Sequence, residues 1–509
     1  MTFVLAITPI LLILVLMVGF RWGAARAGAT GYLSALIISL LFFGAGPVLL
    51  AFAHAKAWFL TVDVLFIIWA AFLLYRVADE AGAIRTIGQS LPHLTPDKGM
   101  QALIIGWVFA TFLQGVGGFG VPVAVISPIL VGLGFSPLAA VVIPSVGHGW
   151  AVTFGSLGSS FAALMASTGV PAEVLAPPSA LFLGVAGIVT GPLVAHAAGG
   201  WTTVRRLLLP ALLLGLLMAS VQFLVVTNGF WYIGAFVAGI AGLALSIPLA
   251  LRSRGGNQNN VSLDRRALLI ALSGYALLIV ITLTIQLIPA VKSLLSEVSI
   301  QFHFPETSTS LGYITPAGPG RNLVLFRHTG MILIYTSILA FIVYKSAGLY
   351  KKGSVRSILE GTVRRVMSSS VSIASMVAMA VIMQHSGMTD TIARGLAEGF
   401  GALYPIVAPW IGALGAFMTG SNTNSNVVFG ELQKRTAELL GYSVPIILAA
   451  QTAGAALASV IAPTKVVVGA STAGMGGREG FVMRKLVVYV GLLVTLISIL
   501  AVIGVLLTE

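Results

Sequence analysis

Long apolar runs with almost no charge are the feature that most limits what this chain can fold into. Each is about 18 residues or longer, and at about 1.5 Å rise per residue such a helix crosses a hydrocarbon core of roughly 30 Å. Backbone exposed to lipid must satisfy its own hydrogen bonds, and the strict alternation of barrel strands is absent, so helices are predicted. The clearest runs are Phe3–Phe20, Gly31–Ala53, Leu207–Val226 and Val487–Leu507.

Composition and charge placement both indicate an all-α polytopic membrane protein. Hydrophobic residues make up 58% of the chain and charged residues only 8%, whereas a soluble domain carries roughly a quarter charged residues. The net charge of +13 arises from short basic clusters between apolar runs, a pattern that contacts anionic lipid and fixes topology, so nucleic acid is not an expected partner. The clusters are Arg21/Arg26, Arg205/Arg206, Arg252/Arg254/Arg265/Arg266, Lys345/Lys351/Lys352/Arg356/Arg364/Arg365 and Arg478/Arg484/Lys485.

Placing every basic cluster on the cytoplasmic side predicts a multi-pass protein of the cell (inner or plasma) membrane with both termini outside. The first apolar run has no basic region before it and no small-residue cleavage site after it, so it is interpreted as a membrane helix rather than a signal peptide. Cysteine is absent, which excludes disulfides and thiolate metal sites. No cofactor or metal is expected.

The parity of the membrane crossings predicts about twelve transmembrane helices plus two re-entrant hairpins, arranged as two inverted-topology repeats. A weak internal echo supports the repeat, because Leu133-Gly-Phe-Ser136 resembles Leu440-Gly-Tyr-Ser443. Interrupted segments at matching positions of two inverted repeats indicate a secondary transporter and its binding site. The predicted parts are a first repeat (1–200, hairpin about 100–135, broken helix about 137–168), a linking pair with a basic loop (201–266) and a second repeat (267–509, hairpin about 402–440, broken helix about 444–472).

The stretch Gln114–Pro122 carries four glycines and a proline within an apolar context, which a plain helix does not tolerate. Non-helical backbone at membrane depth is buried in protein or lines a cavity. Gln114, Gly117 and Gly118 are therefore predicted to contact substrate. The alternative is close helix packing through small residues.

The stretch Thr419–Asn426 is a run of small hydroxyl and amide residues between apolar segments. Its side-chain oxygens suit an alkali cation, while its amides and a helix N-terminus suit a carboxylate. Substrate binding is predicted for Ser421, Asn422, Thr423 and Asn424. The alternative is an exposed loop whose residues cap helices.

The two broken helices contain ionisable groups inside apolar, glycine-interrupted runs. An isolated charge there costs roughly 2.5–3.5 kcal/mol on insertion scales, so a partner or a function is expected. Lys465 is predicted to bind an anionic substrate together with Thr153 and Ser156, and His148 is a candidate proton carrier. The alternatives are that Lys465 extends to an interface and that His148 is a neutral hydrogen-bonding core residue.

Two acidic residues complete the candidates. Asp63 lies within an apolar helix and is predicted either to carry a proton or to pair with a lysine or arginine that holds two helices together. Glu431 follows the second hairpin next to Lys434 and Arg435, and an interfacial ion pair is the favoured interpretation.

At these motifs the sequence resembles the L-lactate permease family. The matching strings are Gly106–Pro122, Gly147–Ser156, Thr419–Asn426 and Ala462–Lys465, and the resemblance covers most of the chain. It implies a symporter that imports L-lactate and related 2-hydroxy monocarboxylates such as glycolate with protons. A homodimeric assembly is left open.

More distantly, Ser421-Asn-Thr423 is similar to the hairpin tips of divalent-anion/sodium symporters. That similarity implies an elevator-like movement of the hairpins against a scaffold. The first hairpin has glycines where those relatives carry a second Ser-Asn-Thr, which favours protons over sodium, although a sodium-coupled carboxylate symporter is the alternative. An enzyme is not expected, because no metal-ligand cluster or nucleophile–base pair stands out. A channel would not need the hairpins.

Overall fold

The computed structural model describes residues 2–118, 120–252, 264–320 and 322–508. Eleven helical stretches in these ranges are long and apolar enough to cross a membrane, by length and composition. The predicted all-α polytopic fold is confirmed. Phe119 of the glycine-rich stretch and Arg254 of the third basic cluster lie outside the described residues.

The described residues up to Arg252 form eleven α-helices. They are α1 Thr2–Leu14, α2 Ala24–Phe42, α3 Pro47–Glu80, α4 Ala83–Ser90, α5 Lys98–Leu103, α6 Ala110–Val116, α7 Val121–Gly132, α8 Pro137–Gly149, α9 Ser159–Thr168, α10 Ala172–Val225 and α11 Gly234–Arg252. A π-helical segment, Ile104–Phe109, joins α5 to α6. A kink at Gly199 and Gly200, where Gly200 has φ +70°, divides α10 into two helical stretches.

The second half contains ten helices and a small β-ladder. The helices are α12 Arg265–Leu287, α13 Pro289–Leu294, α14 Thr329–Ser346, α15 Ser354–His385, α16 Met388–Phe400, α17 Tyr404–Thr419, α18 Asn422–Leu440, α19 Val444–Ala458, α20 Pro463–Thr472 and α21 Glu479–Leu506. Six two-residue strands lie between α13 and α14: β1 Ser299–Ile300, β2 His303–Phe304, β3 Thr307–Ser308, β4 Ile314–Thr315, β5 Gly318–Pro319 and β6 Leu323–Val324. They pair antiparallel as β1–β6, β2–β5 and β3–β4, so the segment folds back on itself as one nested hairpin.

The apolar run Gly31–Ala53 is not one helix. The structure ends α2 at Phe42 and begins α3 at Pro47. Gly44 between them has φ +67°, a conformation that favours glycine, and proline suits the first turn of a helix because it lacks the N–H that would be unpaired there. The glycine and proline at the turn thus divide an apolar run that, from its hydropathy alone, was expected to form one helix.

The order of the longer helices is similar in the two halves of the described chain when the short helix α13 is set aside. Three helices (α1–α3, then α12, α14 and α15) precede a short amphipathic helix, a pair of antiparallel helices, an interrupted helix and a last long helix. The short amphipathic helices α4 and α16 were not predicted. In α4 the buried residues recur three or four positions apart, as Ala83, Ile84, Ile87 and Gly88, while Arg85 is exposed, which is the pattern of a helix that lies on a surface.

Candidate functional site

Two helix pairs turn back on themselves inside the molecule. In the first, the Lys98 ammonium at the start of α5 donates to the Gly134 carbonyl beyond α7 at 2.9 Å, so the chain returns to the point where it entered. In the second, α17 and α18 are joined side by side, since the Gln433 amide donates to the Ala408 carbonyl at 2.9 Å. We call residues 117, 118 and 120, at the turn of the first pair, the first tip, and residues 420–424, at the turn of the second pair, the second tip.

The first tip packs against the break in the first interrupted helix. Gly118 has φ +54°, and a Cβ atom there would lie 1.6 Å from the Ser156 hydroxyl oxygen. Ser156 and Leu157 themselves have φ of 47° and 52°, values that cost energy for non-glycine residues. The Gln114 side chain is 1% exposed, and its Oε1 atom accepts no hydrogen bond within the described chain. The structure therefore brings Gln114, Gly118 and Ser156 together.

The first hairpin also packs tightly through its other glycines. A Cβ atom on Gly115 would lie 2.5 Å from the backbone of Phe236, and one on Gly117 would lie 3.0 Å from the Tyr75 ring. Close packing through small residues and an irregular backbone at the tip are thus both present in this stretch, at different glycines.

The second tip is joined to the break in the first interrupted helix by side-chain hydrogen bonds. The Asn422 amide donates to the Thr153 hydroxyl at 3.0 Å, and the Thr423 hydroxyl lies 3.0 Å from that of Ser160. Thr153 in turn lies 3.1 Å from the Thr452 hydroxyl of α19. Thr153, Asn422 and Thr423 are each 2% exposed or less. This network, which we call the tip network, connects both halves of the chain.

Three asparagines of the second hairpin have unused acceptors. The Oδ1 atoms of Asn422, Asn424 and Asn426 are buried and accept no hydrogen bond from any described residue. Their amide nitrogens are all engaged, Asn424 with the Ser372 hydroxyl at 3.0 Å and Asn426 with the Ser160 carbonyl at 2.9 Å. A buried acceptor without a donor costs free energy, so these oxygens favour a bound hydroxyl, water or cation.

An open cavity of about 370 Å³ lies where the two tips approach α15 and α20. Of the residues predicted to bind substrate, Ser421, Asn424 and Lys465 line it. Thr153, Asn422 and Thr423 lie behind its wall, in the tip network. The remaining lining residues are Gly23, Ala24, Phe72, Gly120, Arg365, Ser368, Ser369, Ser372, Ile373, Thr419, Gly420, Thr464 and Val468.

Lys465 is the cation that α20 places in this cavity. It lies in the first turn of α20, where the helix dipole disfavours a positive charge. Its ammonium donates to the Ser459 hydroxyl at 3.0 Å, and the described residues place no carboxylate within ion-pairing distance of it. The side chain passes over the first tip, with Cγ 4.0 Å from the Cβ position of Gly120. This arrangement suits an anion bound between the tips.

The sequence prediction missed Arg365 and the serines that follow it. Arg365, Ser368, Ser369 and Ser372 line the cavity from α15. Their spacing of three or four residues places them on one face of a helix, and this periodic stripe was a signal in the sequence. Arg365 belongs to a cluster of six basic residues that the sequence analysis interpreted as contacting lipid, so it was not considered a site residue.

Asp63 and His148 lie outside the residues that line the cavity. The Asp63 carboxylate accepts a hydrogen bond from His328 Nε2 at 2.7 Å, and His328 Nδ1 accepts from the Gly330 N–H at 3.1 Å. Asp63 thus joins α3 to the first turn of α14 through a histidine, whereas a lysine or arginine was the predicted type of partner. His148 is fully buried, and its Nδ1 lies 2.6 Å from the Pro144 carbonyl, so Nδ1 carries the proton.

Comparisons with known proteins find relatives that align with most of this chain. The chain is 32% identical to the L-lactate permease of Streptococcus iniae, over 88% of this chain and 93% of that protein. It is 28% identical to the glycolate permease GlcA of Escherichia coli K12, over 94% and 91% of the two chains. The fold resembles that of the YdaH transporter of Alcanivorax borkumensis, with a TM-score of 0.51 at 14% identity over 88% and 86% of the two chains.

The match to the family itself spans almost the whole sequence. The sequence model of the L-lactate permease family matches residues 2–508. This range includes both tips, both interrupted helices and the linking pair. The predicted family and the prediction of a transporter rather than an enzyme are both confirmed. The chain is a multi-pass membrane transporter and belongs to the L-lactate permease family.

Proposed function

We propose that this transporter imports L-lactate and related 2-hydroxy monocarboxylates such as glycolate across the cytoplasmic membrane by proton symport. The observation that carries the proposal is the cavity between the two tips, which is lined by two cations, Lys465 and Arg365, together with hydroxyl and amide groups. Two cations and several short polar side chains are what a small hydroxylated anion requires, because the cations bind its carboxylate and the acceptors bind its hydroxyl group.

The position of each group suggests a binding mode. The carboxylate of the substrate binds Lys465 and Arg365, and Thr464, Ser421 and the α15 serines donate to its oxygens. The 2-hydroxyl group donates to the Asn424 Oδ1 atom, which has no donor within the described chain. A cavity of this type accepts lactate and glycolate alike, since the two differ only by a methyl group.

The repeated order of elements supports a transport cycle of the elevator type. The two hairpins and interrupted helices, joined by the tip network, form one body, and α3 and α15 belong to the scaffold along which it moves. With the basic clusters on the cytoplasmic side, as this proposal assumes, both termini lie outside and the two halves have opposite orientations. Substrate carried at the tips then changes sides when the body moves.

A second candidate is sodium coupling, which the three unused asparagine oxygens favour because amide oxygens bind alkali cations. A sodium ion bound by Ser421, Asn422 and Asn424 would use the Oδ1 atoms of the two asparagines, which accept no hydrogen bond from the described residues. We place it second because the first tip contributes glycines and no second set of side-chain oxygens.

Uptake of radiolabelled L-lactate into proteoliposomes tests both candidates. With an imposed inward proton gradient, we expect saturable uptake that collapses on addition of a protonophore and is unchanged when choline replaces sodium. Uptake that requires sodium would assign coupling to the second tip. No uptake of lactate or glycolate under either gradient would overturn the proposed substrate class.

A further inference from the structure

We infer that Glu431 on α18 is the site that binds the coupled proton, an inference that rests on the proposed proton symport. The carboxyl group lies at the interface between the hairpin body and the scaffold, away from the substrate cavity. Its Oε1 accepts from the Gln384 amide of α15 at 2.9 Å. Its Oε2 is buried and accepts no hydrogen bond from the described residues, although the Lys434 ammonium lies 3.6 Å away.

The wall that Glu431 faces is almost entirely apolar. A narrow cavity of about 20 Å³ lies at this level, where α18 and α9 pack against α3 and α15. Among the described residues, the polar side chains that line it besides Glu431 are Ser167 and Gln384; the others are Leu60, Val64, Ala163, Ala166, Val377, Ala380, Val381 and Val427. A carboxylate that slides along such a surface loses solvation without gaining a partner. Movement of α18 against α3 and α15 therefore requires the neutral acid.

The two lysines near Glu431 lie on different helices, one on α18 and one on α3. Lys434 belongs to α18 and moves with Glu431, and its ammonium also donates to the Thr168 carbonyl at 3.0 Å. Lys56 belongs to α3 and interacts electrostatically with Glu431; its ammonium lies 3.4 Å from His385 Nε2 of α15. A displacement of α18 along the scaffold thus changes the distance to Lys56 but not to Lys434. Because a nearby cation favours the ionised acid and burial favours the neutral acid, protonation and movement are linked.

The other titratable groups nearby are paired or peripheral. Arg435 binds Asp390 of α16 at 2.6 Å and Glu438 of its own helix at 3.2 Å, and Arg394 binds the second oxygen of Asp390 at 2.7 Å. Tyr313 of the nested β-hairpin also interacts electrostatically with Glu431. No titratable side chain of α9 lines the cavity among the described residues.

Helix α18 connects the proton site to the substrate site. Asn424 and Glu431 are seven residues apart, two turns of one helix, and both contact α15, at Ser372 and at Gln384. Asn424 lines the substrate cavity. The substrate thus binds at the N-terminal end of this helix, and the proton binds two turns further along. If the helix moves only when substrate is bound and Glu431 is protonated, transport of the two is coupled, as a symporter requires.

The test uses Glu431→Gln in the full-length protein in proteoliposomes, with Glu438→Gln as the matched control. Glu438 lies on the same helix but is exposed and pairs with Arg435 at the rim. For E431Q we expect the rate of lactate–lactate exchange to stay within about twofold of wild type. Accumulation driven by a proton gradient should fall at least about fivefold, which is the lower end of the range for coupling between two binding sites. A pH-sensitive dye in the lumen should report no lactate-induced acidification for E431Q. E438Q should behave as wild type in all three assays.

Three outcomes overturn the inference, and a different one overturns the proposed function. Accumulation by E431Q equal to that of wild type would exclude Glu431 as the proton site. Loss of exchange in a variant that melts like wild type would make Glu431 part of the substrate machinery instead. If E431Q does not fold, Glu431→Asp takes its place. Normal accumulation by that variant, with the pH profile of its exchange unchanged from wild type, would then count against the inference. A wild-type protein that exchanges lactate without any response to a proton gradient would instead refute proton symport.

Discussion

The side chain of Asn422 donates a hydrogen bond to the hydroxyl group of Thr153 at 3.0 Å, across 269 residues of sequence. This contact joins the second tip to the break of the first interrupted helix. Thr153 continues the network to Thr452 at 3.1 Å, in the second interrupted helix. Elements from both halves of the chain are thereby fixed to one another next to the substrate cavity.

Replacement of Thr153 by valine should break the tip network, because valine has the same shape without the hydroxyl group. Asn422 would lose its hydrogen-bond acceptor in a buried position, at a cost of about 1–3 kcal/mol. We expect a lower melting temperature in detergent and a loss of lactate uptake. Thr190→Val is the matched control, since the buried Thr190 hydroxyl donates only to Ala186 of its own helix. Equal effects of the two substitutions would argue against a special role for the network.

Replacement of Lys465 by methionine should raise the KM for lactate at least about tenfold, because a hydrogen bond to a charged group contributes about 1.5–3 kcal/mol. Methionine keeps the apolar stem that passes over Gly120. The measurement is the concentration dependence of uptake, with membrane insertion checked by immunoblot. Lys352→Met, on the exposed loop before α15, should leave the KM unchanged. A normal KM in the Lys465 variant would remove this residue from the substrate site.

Much of this arrangement could be predicted because the signals are local. Apolar length predicts the helices, and the glycines and prolines of residues 117–122 predict the irregular backbone of the first tip. The sequence could single out Ser421, Asn424 and Lys465, which line the cavity, because polar or charged side chains are costly in an apolar stretch unless they have a partner or a function. A polar or charged residue within an apolar stretch can therefore be recognised from the sequence alone.

The rest depends on packing between distant segments. Asn422 and Thr423 are neighbours of Asn424, yet they bind Thr153 and Ser160 instead of lining the cavity, because the docking of the first interrupted helix decides which side of the turn is open. The pairing of Asp63 with His328 spans 265 residues, and periodicity says nothing about such a pair. The nested strands are only two residues long, too short to give an alternating pattern.

Alanine at Gly118 should disrupt the first tip. The substitution forces an L-residue to φ +54° and places its Cβ atom against the Ser156 hydroxyl, so either the tip or the break in the interrupted helix must move. We expect uptake to be lost and the melting temperature to fall. Gly132→Ala is the control in the same hairpin, because a Cβ atom there meets open space at an ordinary φ. Normal uptake by the Gly118 variant would show that the tip tolerates rearrangement.

Asparagine at Asp63 should distinguish a proton carrier from a residue that positions helices. His328 uses Nδ1 as the acceptor for the Gly330 N–H and donates from Nε2 to Asp63, so an asparagine Oδ1 can accept the same hydrogen bond. If Asp63 only joins α3 to α14, D63N should retain proton-driven accumulation, while Asp63→Leu, which leaves the His328 donor unpaired, should lose about 1–3 kcal/mol of stability. The measurements are lactate accumulation under a proton gradient and thermal melting of each variant. Loss of accumulation in D63N with intact lactate–lactate exchange would assign the proton to Asp63 and contradict a purely positioning role, because only a coupling residue separates the two activities.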